Sequence, residues 1–478
     1  MTRETPQQLP LDWTGEQLRA ALADVVPKLA RFLDDLPEAP AWSEPRPREN
    51  ARRFRKPLPE SGTPLDALVE SVVRNVPNQG FNTASPGYLA YIPGGGLPSA
   101  AVADLIAGVI NRYVTVWQAA PAAAELEATV VRWICDMVGY PSASGGFLTT
   151  GGSLANWSAV VTARRCRLPD DFLQGTLYAS RQTHHSVMKA AMLAGFPEAN
   201  VRTIDTDPQF RIDCERLQTA IDADRRDGFT PFLIAGNAGT TNTGAVDDLP
   251  ALAVVAERNR LWLHVDAAYG GFFVLTERGR LALAGLERAD SITLDPHKGL
   301  FLPFGTGALI VGDRDDLERA HRLDAEYLPA MQQDAERIDF CRISPELSRD
   351  FRGLRLWLPI QLHGIDAFRR ELDEKLELAE YAASALRAIP QIEIIAEPQL
   401  SLLAIRLHPE GIDETEALNA LNRRFLKRVN AGTRFMLTGT LLDDAFVLRI
   451  CVLSFRTHRD RVDECLEAIR ANVEPTPD

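Results

Sequence analysis

The sequence predicts an α/β protein with a mostly parallel central sheet and a smaller α+β unit at the carboxyl end. Three observations carry that prediction. Short β-rich runs, GTLYAS (175–180), FLIAGNAG (232–239), LWLHVDA (261–267) and SITLD (291–295), alternate with longer helical stretches, which is the pattern of βαβ units. The chain has 478 residues, more than one hydrophobic core holds, because single cores stop growing at roughly 250–300 residues. Apolar residues make up 45% and charged residues 24%, a balance that fills cores and excludes wholesale disorder.

Taken in order, residues 15–34 place Leu18, Leu22, Val25, Leu29 and Phe32 at helical spacing, and Pro27 is expected to kink or interrupt that helix. Seven prolines between 37 and 64, among many charges, read as an extended linker. Helices are predicted over 100–112, 121–138, 153–166 and 185–195. GTGALIVG (305–312) reads as a further strand, 313–324 as a charged helix and 355–388 as one long helix. The runs IEIIAE (392–397), LSLLAIRL (400–407) and FVLRICVL (446–453) then alternate with helices at 413–429 and 459–472. The division expected from this is an amino-terminal arm (1–95), a large α/β domain (96–355) and a small α+β domain (356–478). No solenoid-type repeat interrupts it.

Sixty-five acidic against fifty-two basic residues give a net charge of −13, which disfavours nucleic acid as a partner. Six scattered cysteines, with no C-x-x-C pair, fit a reducing cytoplasm better than a disulfide scaffold. The first residues lack the apolar stretch of a signal peptide, and no run approaches the ~18 apolar residues of a membrane span, so neither export nor insertion is expected.

In an open parallel sheet, ligands gather beyond the carboxyl ends of the strands. Four such turns are chemically loaded: Thr149 to Ser153 before a helix, Gly239 to Thr243, Asp266 with Ala268 behind it, and Pro296-His297-Lys298. A lysine and an aspartate at neighbouring strand ends suit an aldehyde cofactor held as an imine. The lysine supplies the amine, and the carboxylate keeps a pyridine nitrogen protonated. Gly152 and Ser153, opening a helix, offer backbone N–H groups and a helix dipole to a phosphate. Each feature also has a plain reading: a glycine pair as a turn, Asp266 as a cap, Lys298 as a solvated cation, and His184 and His185 as helix capping or core contacts.

Taken together, the motifs resemble those of the group II pyridoxal-phosphate-dependent amino acid decarboxylases. The likeness runs from about Leu18 to the carboxyl terminus and is carried by SPGYLAYIP (85–93), TTGGSLANWSAV (149–160), HHSVMKAA (184–191), GTTNTGAVDDL (239–249), WLHVDAAYGG (262–271), DPHKGLFLPFGTGALIV (295–311) and FRGLRLWLPIQLHG (351–364). The resemblance implies fold type I, the aspartate-aminotransferase-like fold. It also implies pyridoxal 5'-phosphate as cofactor, an amino acid as substrate, and a homodimer with active sites at the interface and the arm on the partner subunit. Carried over, Lys298 is the Schiff-base lysine, Asp266 partners the ring nitrogen and His184 stacks on the ring. Gly152, Ser153 and His297 lie on the phosphate side, with Ala268 also at the cofactor. Thr241 lies near the 3-hydroxyl, and Phe304 is an aromatic position at the dimer interface.

Two departures stand out. Asp295 precedes Pro-His-Lys where most animal relatives have Asn. An ungapped count back from FRGLRLW puts Phe340 where the family carries a mobile tyrosine that protonates Cα. That substitution would favour an aldehyde synthase, whereas Tyr327 would restore the ordinary decarboxylase if the loop folds differently. Tyr88, Tyr91, Pro93, Trp117 and Gly364 are expected in a substrate pocket suited to an aromatic amino acid. An acidic substrate would need a cation such as Arg112, Arg349 or Arg352. An aminotransferase on the same fold and a catalytically silent scaffold are the remaining readings.

Overall fold

A computed structural model describes residues 11–43, 52–77, 79–322 and 337–473. After a short antiparallel pair, β1 (Trp42–Ser43) and β2 (Gly80–Phe81), its centre is a sheet of seven strands, β3 (Gly145–Thr149), β4 (Gly175–Ser180), β5 (Val201–Ile204), β6 (Thr230–Asn237), β7 (Trp262–Asp266), β8 (Ser291–Leu294) and β9 (Gly307–Val311), in the order β3-β9-β8-β7-β6-β4-β5. Only β9 runs against the others; it pairs antiparallel with both β3 and β8. The carboxyl ends of the remaining six strands therefore share one edge, and the loaded turns meet there.

Helices cover both faces, so each strand is apolar on both sides. Successive residues go to opposite layers. Leu148, Tyr178, Ile234, Leu263 and Ile310 join the core under the helices Pro121–Val138, Cys214–Arg226 and Leu249–Asn259. Their neighbours Phe147, Leu177, Leu233, Trp262 and Leu309 join a second core with the helices Gly152–Arg167 and Ser186–Leu193.

The carboxyl-terminal sheet has four antiparallel strands, β10 (Ile392–Ala396), β11 (Leu402–Leu407), β12 (Thr438–Leu442) and β13 (Ala445–Cys451), in the order β10-β11-β13-β12. Its own core includes Phe425, Leu448 and Ile469. Tyr269 ties the two sheets together: its hydroxyl meets Ser401 Oγ and accepts the Ser401 N–H, both at 2.9 Å. The segment around Leu89 threads the junction, donating to Met436 O and accepting from the Cys451 N–H.

Several elements differ from the sequence expectation. The helix Gly15–Asp35 runs through Pro27 without interruption, on an exposed surface. The long helix expected over 355–388 is two helices, Gly353–His363 and Ile365–Arg387, because Gly364 between them takes φ 71°, outside the helical region. The boundary expected at 355/356 falls inside the first of these, which packs against the helices Pro98–Ile110 and Pro121–Val138. The strands β3, β5 and β12 were not anticipated; the first two are short and the third is only partly buried. Among the described residues, no helix is long and apolar enough to cross a membrane, and all six cysteines are free.

Candidate active site

At the carboxyl edge the turns enclose a cavity of about 310 Å³, lined among others by Gly152, Ser153, His184, Thr241, Asp266, Ala268, His297 and Lys298. Asp266 ends β7, and its carboxylate accepts from the Ala268 N–H at 3.1 Å and from Asn156 Nδ2 at 2.9 Å. Lys298 sits in the short helix Pro296–Gly299 directly after β8, with Nζ 2.9 Å from Asp295 Oδ2. Asp295 is buried, and its other oxygen, Oδ1, has no hydrogen-bond partner.

The helix Gly152–Arg167 starts at the cavity wall; Leu154 and Ala155 donate to Gly151 O, while the N–H groups of Gly152 and Ser153 have no backbone acceptor among the described residues. Gly151 takes φ 152°, which favours glycine. A side chain at Gly152 would meet Asp295 Oδ2 at 3.1 Å and the Ala268 methyl at 3.3 Å, so the absence of a Cβ keeps that approach open. His297 donates from Nδ1 to Thr306 O at 2.6 Å, and its Nε2 lies 3.5 Å from Asp295 Oδ2. Burial lowers the pKa values of His184 and His297 below the usual histidine range, which favours neutral rings.

The structure brings together every residue expected to hold a cofactor except Phe304, which lies 5.6 Å from the His297 ring and points outward, exposed. The residues expected in the substrate pocket do not line the cavity. Tyr88 is buried in a small cluster with Ala41, Ala90 and Met436, where an aromatic ring serves packing. Trp117 donates from its indole to Glu125 at 2.6 Å and carries Arg337 over its ring. Gly364 is the break between two helices. Pro93 is buried in front of Gly94, which packs on the His297 carbonyl. Tyr91 is half exposed, with its own carbonyl taken by Arg449.

Phe340 does not reach the cavity either. It is 1% exposed, packed with the second core and lying against Arg349, so an ungapped count misplaces it. Tyr327 lies outside the described residues. Of the candidate cations, Arg349 is buried against Glu127 and Glu346, and Arg352 pairs with Glu346 and Asp350.

Sequence reasoning missed Asn156, Ser186, Asn237 and Tyr269, all of which line the cavity. Asn156 could have been found, because it lies three residues after Ser153 on the same helix face. Arg449 on β13 was missed as well. It spends its donors on Thr438 Oγ1 and on the carbonyls of Thr241 and Asn242, and so clamps the cavity turn to the small sheet.

A lysine, a buried-edge aspartate and a helix amino terminus around one cavity, beyond a seven-stranded sheet of this order, define a pyridoxal-phosphate enzyme of fold type I. The donor set fits the cofactor: an amine for its aldehyde, a carboxylate for its ring nitrogen and an N–H-rich helix end for its phosphate. The family model described as the pyridoxal-dependent decarboxylase conserved domain matches residues 47–408. An aromatic-L-amino-acid decarboxylase of Bacillus atrophaeus is 34% identical over 423 residues, 88% of each chain. Among solved structures, an Oryza sativa TDC with PLP and tryptamine superposes with TM-score 0.91 at 28% identity, covering 97% of this chain and 99% of the other. A Rhodiola rosea 4-hydroxyphenylacetaldehyde synthase gives TM-score 0.88 at 26% identity, with the same two coverages. The chain belongs to the pyridoxal-dependent decarboxylase family. It is a pyridoxal-phosphate-dependent carboxy-lyase acting on an amino acid.

Proposed function

We propose that the chain decarboxylates an aromatic L-amino acid to its amine and CO2. The observation that carries the site assignment is the convergence of Lys298, Asp266, His184 and the Gly152–Ser153 helix end on one cavity. Lys298 would hold the cofactor aldehyde and Asp266 its ring nitrogen, while Gly152, Ser153 and His297 would serve the phosphate. His184 would lie against the ring, with Thr241 and Ala268 completing the wall.

When bound, the cofactor supplies a protonated pyridine into which the electrons of the breaking Cα–carboxylate bond can flow. The chain's own residues do the rest. Lys298 must shed a proton to act as a nucleophile, and Asp295 Oδ2 at 2.9 Å is the acceptor within reach. His184, whose pKa burial lowers, would offer the ring a flat face without adding a positive charge. Tyr327, outside the described residues, would be the donor of the proton to Cα. The aldehyde-synthase reading required a phenylalanine in that role, and Phe340 is committed to the core instead.

Aromatic substrates are favoured over acidic ones because none of Arg112, Arg349 and Arg352 lines the cavity, and the last two are occupied by carboxylates. The relatives named as aromatic decarboxylases point the same way. A homodimer is supported by the helix Pro98–Ile110, whose Val102, Leu105, Ile106 and Val109 form an exposed apolar stripe at i, i+3, i+4 and i+7 spacing. Phe304 is exposed as well.

The test is a product assay with tryptophan, tyrosine, phenylalanine, DOPA and glutamate, scoring amine, CO2, aldehyde and peroxide without an added keto acid. Stoichiometric aromatic amine supports the proposal. Glutamate as the sole substrate, aldehyde with peroxide, or turnover only with a keto acid would each overturn it, and so would no turnover at all, as expected of a silent scaffold.

A further inference from the structure

A line of buried polar side chains runs along one face of β7 to the cavity, and the donors and acceptors along it fix its direction. Asp266 Oδ2 is a carboxylate oxygen and accepts, so the amide nitrogen of Asn156, 2.9 Å away, must face it. The second hydrogen of that nitrogen goes to Ser186 Oγ, also at 2.9 Å. Asn156 Oδ1 is thereby turned to His264 Nε2 at 3.0 Å, and a carbonyl oxygen requires an N–H there. A neutral His264 protonated on Nε2 has a bare Nδ1, which accepts from the Ser291 hydroxyl at 2.9 Å. Ser291 Oγ in turn accepts the indole N–H of Trp262 at 2.8 Å.

The other branch reaches the second cofactor-facing group. Ser186 Oγ accepts from Asn156 and lies 2.7 Å from His184 Nδ1; the Ser186 backbone N–H points at the same nitrogen at 3.3 Å, which makes Nδ1 an acceptor and turns the hydroxyl hydrogen toward it. Asn156, Trp262, His264 and Ser291 are all buried, at most 1% exposed, so water does not substitute for a missing link. Burial also pushes the His264 pKa down to about 4, which keeps the ring neutral as the chain requires.

We propose that Asn156 and His264 are positioning residues whose one-way hydrogen-bond chain aims the Asp266 carboxylate at the cofactor ring and fixes His184 in its Nε2–H tautomer. Reversing one link would turn the Asn156 carbonyl onto the Asp266 carboxylate, acceptor against acceptor, so the chain holds as a unit. The role rests on the assignment of Asp266 and His184 to the cofactor.

The experiment reads histidine nitrogens by NMR in the full-length, 15N-histidine-labelled protein, with and without pyridoxal phosphate. The expected result is an unprotonated Nδ1 on both His184 and His264. His264→Leu is expected to bring protonated Nδ1 into the His184 signal, and His264→Gln, whose amide nitrogen can stand in for Nε2–H, to restore it. Pyridoxal phosphate should bind His264→Leu about tenfold more weakly than the parent, the size of one lost hydrogen bond. A 1-deaza analogue without the ring nitrogen should bind both proteins alike. A protonated Nδ1 on His184 in the parent overturns the proposal, as do His264→Leu signals and affinities that match the parent's. If His264→Leu does not fold, Ser186→Ala removes the hydroxyl and leaves only the 3.3 Å backbone N–H on His184 Nδ1: the preference of His184 must then weaken while His264 keeps its own, and an unchanged His184 refutes the chain. The nitrogen shifts without cofactor do not depend on the substrate, so a failed product assay and a failed chain are separately visible.

Discussion

Gly94→Ala tests whether the backbone that carries Lys298 must stay where it is. Gly94 packs so tightly on the Pro-His-Lys turn that an added Cβ would lie 2.0 Å from His297 O, 3.0 Å from its carbonyl carbon and 3.3 Å from Lys298 O. An ordinary contact begins near 3.4 Å, so the two segments must part by about 1.4 Å. The atom met is backbone, and it belongs to the residue before Lys298, so the strain passes to the amine that holds the cofactor. Misplacement by about 1 Å costs on the order of 100-fold in rate when reacting groups depend on alignment. We expect kcat/KM for the preferred amino acid to fall at least about 100-fold, with weaker cofactor binding measured by fluorescence quenching. Gly432→Ala is the control, since a Cβ there meets nothing within 4 Å. Decarboxylation by Gly94→Ala within about threefold of the parent would show that the turn yields freely, and the argument that its position is set by this contact would fall.

Lys298→Ala is expected to abolish turnover and the visible absorption of the cofactor-loaded protein; retained colour would remove the lysine from its role. Arg349→Met leaves Glu127 buried without its cation and is expected to cost about 3–5 kcal/mol in urea unfolding, whereas replacing both partners with apolar residues should recover much of it. Burial lowers His264 and His321 to about 4, against roughly 6.5 in an unfolded chain. Below that unfolded value the unfolded chain takes up protons that the folded chain refuses, so stability is fully present above about pH 6.5 and is lost as pH falls toward 4, by about 3 kcal/mol per ring. Unfolding free energies that stay flat from pH 6.5 to 4.5 would refute this. Tyr327→Phe is expected to divert product from amine to aldehyde, ammonia and peroxide in the product assay; unchanged amine yield would remove Tyr327 from proton delivery.

The cofactor cavity was legible in the sequence because its residues stand at the carboxyl ends of apolar strands, and strand ends are local features. Asp266 and Lys298 each stand at the end of such a run, and Gly152 was legible because it opens a predicted helix. The substrate-side residues were not legible, because they depend on packing between distant segments. Tyr88 has the composition of a pocket residue yet is spent on Met436, more than 300 positions away in the chain. Phe340 was misplaced for a related reason: counting along a loop assumes constant path length, whereas its burial is set by Phe147 and Arg349. The break at Gly364 carried a signal, a glycine inside a helical pattern, that the length of the run obscured. Asn156 and His264 look like ordinary polar residues in core positions until their partners are known.

The lone reversed strand has a consequence for assembly. β9 is wedged between β3 and β8, with Gly307 facing Thr149 across about 160 residues of chain. The glycine turn after Thr149 therefore gains its final support only after nearly the whole large sheet has been synthesised. A ribosome-bound chain that stops short of β9 carries the lysine and the aspartate but lacks the strand that anchors the turn meant for the phosphate. Vitamin capture is thus deferred until the scaffold is complete, and truncation before that point should yield a colourless protein.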